Sequence, residues 1–164
     1  LIYIKVIMDK LNNIMQRICL ENKNKHIVLY EKPNSYIYES LKFLNIACQY
    51  LPQLEELVKL DSGNVLLLLS IDENTISSND VYRKVGSIIL KYPDNFIIIN
   101  KINKVEYLDN PLHKSLMSLG FKLSPQITHG DIFFLFYTYN IGNYKNSPDW
   151  LNSENWANPE LWEK

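Results

Sequence analysis

Apolar positions along the chain fall into two patterns, short unbroken runs and spaced sets at helical intervals. The clearest run is Val65-Leu66-Leu67-Leu68-Leu69-Ser70-Ile71, entered through Gly63-Asn64 and left through Asp72-Glu73-Asn74. Its apolar residues do not alternate with polar ones, which predicts a strand buried on both faces at the centre of a parallel sheet. His26–Tyr30 and Phe96–Asn100 repeat the pattern as shorter strands. Between these runs the spacing becomes helical. Leu11, Ile14, Met15, Ile18 and Cys19 make one face of a helix over Asp9–Glu21, with Asp9 suited to cap it. Ile37, Leu41 and Leu44 predict a second helix, and Val81, Val85, Ile88 and Ile89 a third, opened by Ser77-Ser78-Asn79 and stopped at Tyr92-Pro93. Asn110-Pro111 opens a fourth, lined by Leu112, Leu116 and Leu119 and closed by Gly120.

Two stretches need more argument. Asn45–Leu51 alternates through Ile46, Cys48 and Tyr50 like a strand, while Cys48 also continues the preceding helical face. The strand is favoured, because Pro52 then starts a short helix through Leu54, Leu57 and Val58. Phe121–Ile127 and Ile132–Tyr139 read as two strands around Thr128–Asp131, a hairpin. Strands alternate with helices up to that hairpin. The class is therefore α/β, a mostly parallel sheet of about six strands ending in an antiparallel hairpin, with helices on both faces. Residues 1–8 read as a poorly anchored extension, 9–140 as the α/β domain and 141–164 as a tail packed on it. In such a sheet ligands sit at the carboxyl end of a central strand, here the loop beginning Ser70-Ile71-Asp72.

Composition narrows the function classes. The chain has 164 residues, 17 basic against 18 acidic, so it fits one domain and offers no basic surface to a nucleic acid. No apolar run reaches the ~18 residues that span a bilayer. Cys19 and Cys48 stand in apolar surroundings without metal spacing, as buried free thiols of a reducing, cytoplasmic setting. His26, His113 and His129 are too scattered for a metal site, and His113 and His129 are expected at the surface. Asp72 and Glu73 are adjacent on an extended chain and point opposite ways, which makes them a poor acid–base pair. No serine or cysteine stands in a nucleophile motif, and Phe133–Tyr137 reads as core.

The series of strands and helices ending in a hairpin resembles the Rossmann-like fold of class I S-adenosylmethionine-dependent methyltransferases, best over residues 64–140. That resemblance implies a glycine-rich turn after the first strand, and here the turn is Glu31-Lys32-Pro33-Asn34-Ser35, without glycine. It implies an acid after the second strand, where this chain has Gln49-Tyr50-Leu51-Pro52-Gln53. Only Ser70–Asn74 keeps a counterpart of the third contact. If the cofactor were held, the resemblance assigns Asn34, Ser35, Ser70 and Asp72 to its polar contacts.

The tail differs in character from the rest. It holds all three tryptophans, Trp150, Trp156 and Trp162, and a loose echo, Ser147-Pro148-Asp149 beside Asn158-Pro159-Glu160. Each copy sets a capping side chain, a proline and an acid in the order that suits a single helical turn. Tryptophans six apart lie about 120° apart on a helix, so short turns fit better than one continuous helix. Together with Tyr144 and Asn152 the segment resembles the closing signature of a small bacterial family, itself similar to degenerate methyltransferases. Tyr144, Trp150, Asn152, Trp156 and Trp162 are the candidate interaction surface. Two readings follow: a protein that has lost its cofactor contacts and binds a protein or small molecule, or a divergent methyltransferase that still holds S-adenosylmethionine. Neither calls for a metal, a nucleic acid or a membrane.

Overall fold

Every residue from Val65 to Leu69 is buried, because the strand they form has a neighbour on each edge and a helical layer on each face. The computed structural model describes residues 2–31, 36–60, 63–71, 78–92, 95–103 and 108–139. Its strands are β1 (His26–Tyr30), β2 (Cys48–Leu51), β3 (Val65–Ser70), β4 (Phe96–Asn103), β5 (Lys122–His129) and β6 (Ile132–Thr138). The helices are α1 (Ile2–Glu21), α2 (Tyr36–Phe43), α3 (Ser78–Lys91) and α4 (Pro111–Ser118), with a 3₁₀ segment at Leu54–Lys59.

The sheet runs β2-β1-β3-β4-β6-β5. The first four strands in that order are parallel, and β6 pairs antiparallel with both β4 and β5. The predicted class, strand number and closing hairpin all stand. Alternation along the strands divides the core in two. Ile27, Leu29, Leu66, Leu68, Ile97 and Ile99 pack under α1 and α2. Val28, Leu67, Leu69 and Ile98 face the opposite layer, built from the 3₁₀ segment, α3 and α4.

Helix α1 begins at Ile2, seven residues before the expected Asp9. Ile2 to Lys5 are exposed, but Ile7 is part of the core, so the segment expected to lie loose is helical and anchored from Ile7 on. Tyr3 also reaches the β5–β6 turn: a Cβ added at Gly130, where φ is +58°, would stand 2.6 Å from its hydroxyl. The ambiguous stretch resolves as a short edge strand, β2, behind a turn at Asn45, where φ is 55°. Helix α4 follows its sequence signals closely. The Asn110 side chain accepts from the His113 amide at 3.0 Å, Pro111 leads the helix, and Gly120 takes a φ of 92° just past its end. On the other edge, β5 carries a register shift between Ser124 and Gln126, so Pro125 falls at a bulge.

Cys19 and Cys48 are both free and only half-buried. Burial pushes the Cys19 thiol up to about 11, with Cys48 nearby adding to the shift, and burial also raises Cys48. Alkylation needs the thiolate. Iodoacetamide labelling of Cys19, followed by mass spectrometry, is therefore expected to be slow at neutral pH. Its rate should climb about tenfold per pH unit through the range where a free thiol has already levelled off. A plateau near the ordinary cysteine value would contradict this.

Candidate functional site

The chain passes from β1 out to β2 on one side, then returns across β1 to β3 on the other. At such a reversal parallel α/β sheets take their ligands in a crevice outside the carboxyl ends of the strands, here those of β1 and β3. The backbone there ends at Tyr30-Glu31 on one strand and Ser70-Ile71 on the other, since Tyr30 pairs with Leu69.

Glu31 stands at this switch point, directly after β1. It is 3% exposed, because alternation along β1 turns it to the same side as Leu29, beneath the start of α2. Its carboxylate accepts the amide of Ile37 at 3.2 Å and that of Tyr38 at 2.9 Å, and it also accepts the Ser70 hydroxyl. The first-turn amides of a helix have no partner inside the helix and carry its positive pole, so an anion is what they attract. In this chain the anion is the protein's own side chain. Burial raises the Glu31 pKa above the ordinary carboxylate range, outweighing the opposing pull of the two amides and the hydroxyl. The Glu31 backbone is held as well, by a short hydrogen bond that the Tyr50 hydroxyl donates to its carbonyl. Tyr50 thus stands on β2 where the resemblance called for an acid, and its hydroxyl is engaged by the Glu31 carbonyl.

Two more groups lie on β4, just beyond its pairing with the end of β3. Lys101 lies over the Tyr36 ring at 4.6 Å from its centroid, and that ring meets Phe134 edge to face at 5.7 Å. Asn100, at the carboxyl end of the parallel part of β4, is fully buried, with neither amide atom hydrogen-bonded. Its alternation places it on the face opposite Glu31, in line with Phe96 and Ile98.

Of the residues the resemblance assigned to S-adenosylmethionine, Ser70 stands at the crevice but gives its hydroxyl to Glu31. Asn34, Ser35 and Asp72 lie outside the described residues, as do Tyr144, Trp150, Asn152, Trp156 and Trp162. At the head of α2 the Ile37 and Tyr38 amides and the Ser70 hydroxyl are engaged by Glu31. No group of three or more potential metal ligands occurs among the described residues, and none of their helices is long and apolar enough to cross a membrane. His113, expected at the surface, is buried. Its helix packs against β6, so Nδ1 lies 2.7 Å from the Tyr137 hydroxyl, and burial lowers its pKa.

Sequence reasoning missed Glu31 and Asn100. Both extend an apolar run by one polar residue, Val28-Leu29-Tyr30-Glu31 and Ile97-Ile98-Ile99-Asn100, and that was the available signal.

The architecture has counterparts among solved structures. Magnesium protoporphyrin IX methyltransferase (ChlM) from Synechocystis PCC 6803 with bound SAM aligns with a TM-score of 0.50 and 8% identity, over 84% of this chain and 82% of that one. A DUF574 family protein from Streptomyces avermitilis MA-4680 aligns with a TM-score of 0.47 and 7% identity, over 84% of each chain. At such identities the likeness to ChlM speaks for the fold alone, which is that of the methyltransferase-like Rossmann proteins. No curated protein matches the sequence. The model of a family of unknown function, DUF6231, matches residues 10–164, and the chain belongs to that family.

Proposed function

We propose that this protein keeps the methyltransferase fold as a scaffold and acts by binding a protein or a small molecule, without S-adenosylmethionine. One observation carries the reading. The Glu31 carboxylate takes the helix amides and the Ser70 hydroxyl that a ligand in the crevice would use. Displacing a buried carboxylate from three donors would cost an incoming ligand more than one new set of hydrogen bonds returns.

The unpaired amide of Asn100 favours a second reading, a divergent methyltransferase of unknown substrate. A buried amide with a free donor and a free acceptor suits a polar ligand at the carboxyl edge of the sheet. Calorimetric titration of S-adenosylmethionine and S-adenosylhomocysteine into the full chain separates the two. The first reading expects no heat at millimolar ligand. Micromolar binding that disappears in Asp72→Ala would overturn it and turn the search to acceptor substrates.

A further inference from the structure

At the opposite end of the strands from Glu31 and Ser70, a groove of about 530 Å³ opens where three segments converge. They are the last turns of α1, the entry into β1 and the turn between α2 and β2. Small-molecule sites commonly enclose about 300–1,000 Å³. Each segment adds apolar side chains to the lining: Cys19 and Leu20 from α1, Ile27 from β1, Leu44 and Ile46 from the α2–β2 turn. Leu20 stays 65% exposed at its edge.

Backbone and capping bonds hold the walls. Asn45 takes a φ of 55° and Ile46 donates to the Leu41 carbonyl at 3.0 Å, so α2 closes in a left-handed turn that carries Leu44 and Ile46. On α1, the Asn22 amide and side chain both donate to the Ile18 carbonyl, at 3.2 and 2.9 Å. That caps the helix and answers part of its negative pole. A site fixed before binding loses little freedom when it is filled.

The charge of the groove has one sign. Lys23 and Lys25 belong to the lining, and no acid among the described residues does. Lys25 is oriented by Asn95, whose side-chain oxygen accepts from its ammonium at 2.7 Å. That partner is neutral, so the positive charge remains. His26, also in the lining, lies 3.2 Å from the side-chain oxygen of Gln49, again a neutral partner. An apolar trough with unopposed positive charge suits a ligand that brings an apolar body and a negative head.

We propose that this groove binds a small molecule with an apolar body and one anionic head group, the head toward Lys23 and Lys25 and the body along Leu20, Ile27, Leu44 and Ile46. The site stands apart from the carboxyl crevice and holds whether or not that crevice takes a cofactor.

Calorimetric titration of octanoate into the full chain is expected to show one saturable site. The probe 1-octanol, with the same body and no charge, should bind several-fold more weakly. Iodoacetamide labelling of Cys19 at alkaline pH should slow in step with octanoate occupancy, because the thiol lines the groove. Lys23→Glu reverses a charge on an exposed turn, and Ala47→Phe fills the groove from an exposed position. Each should weaken octanoate several-fold with far-ultraviolet circular dichroism unchanged, and Lys23→Glu decides alone if Ala47→Phe fails to fold. Four results would overturn the proposal. One is no saturable binding at millimolar octanoate. Another is equal affinity for octanol, which leaves the lysines no role. The third is binding that ignores the substitutions. The last is binding that leaves Cys19 labelling at its unliganded rate, which places the ligand elsewhere. Titration with S-adenosylmethionine bears on the crevice alone, so the two readings fail separately.

Discussion

Glu31→Ala is expected to destabilise the domain by about 2–4 kcal/mol, read as a lower denaturant midpoint at unchanged slope. Hydrogen bonds to a charged acceptor are worth about 1.5–3 kcal/mol each, and this carboxylate accepts from Ile37, Tyr38 and Ser70. Part of that gain is offset by the burial that raises its pKa. The same shift fixes a pH dependence. The folded chain holds the Glu31 proton more tightly than the unfolded chain does. The stability so supplied is complete below the unfolded value and is lost as pH rises through the higher folded one. Glu31→Gln cannot titrate. The advantage of the wild type over this variant should therefore be largest below the ordinary glutamate value and shrink as pH rises above it. An advantage that grew with pH would mean that the three donors outweigh burial and that the shift has the opposite sign.

Asn100→Val should stabilise the protein by about 1–2 kcal/mol. Burying an amide without partners costs about 1–3 kcal/mol by mutational measures. Here both of its atoms are buried and unpaired, in a strand where it stands in line with Phe96 and Ile98 and across from Leu135. Valine suits a buried strand position and adds little volume. Thermal unfolding of the two proteins decides the matter. A loss of similar size would instead show that the amide is paired in solution by a water or a ligand, and Asn100 would then be the place to look for it.

The pattern of apolar residues carried most of the architecture. An unbroken run such as Val65–Leu69 has few solutions other than a central strand, and Asn110-Pro111 states its helix start in local chemistry. What stayed hidden depends on partners distant in sequence or on unusual spacing. The Glu31 carboxylate reaches amides six and seven residues ahead, beyond the three-residue reach of a capping box, so no local rule sees it. The absence of glycine after β1 was legible, but the carboxylate that engages the α2 amides was not. His113 reads as a solvent-facing first-turn residue until α4 is set against β6 and Tyr137 comes within reach. The early start of α1 was obscured because Ile2 and Ile4 lie exposed, and only Ile7 continues the buried face.

The bulge in β5 has a consequence for how these molecules meet one another. A sheet edge with regular, unpaired amides is a template on which another chain can extend the sheet, the first step toward aggregation. The β5 edge interrupts its register between Ser124 and Gln126, and Pro125 brings no amide hydrogen to that position. The opposite edge, β2, is only four residues long. Neither border offers an incoming strand a long continuous ladder, so crowding of this protein should not proceed through edge-to-edge growth of its sheet.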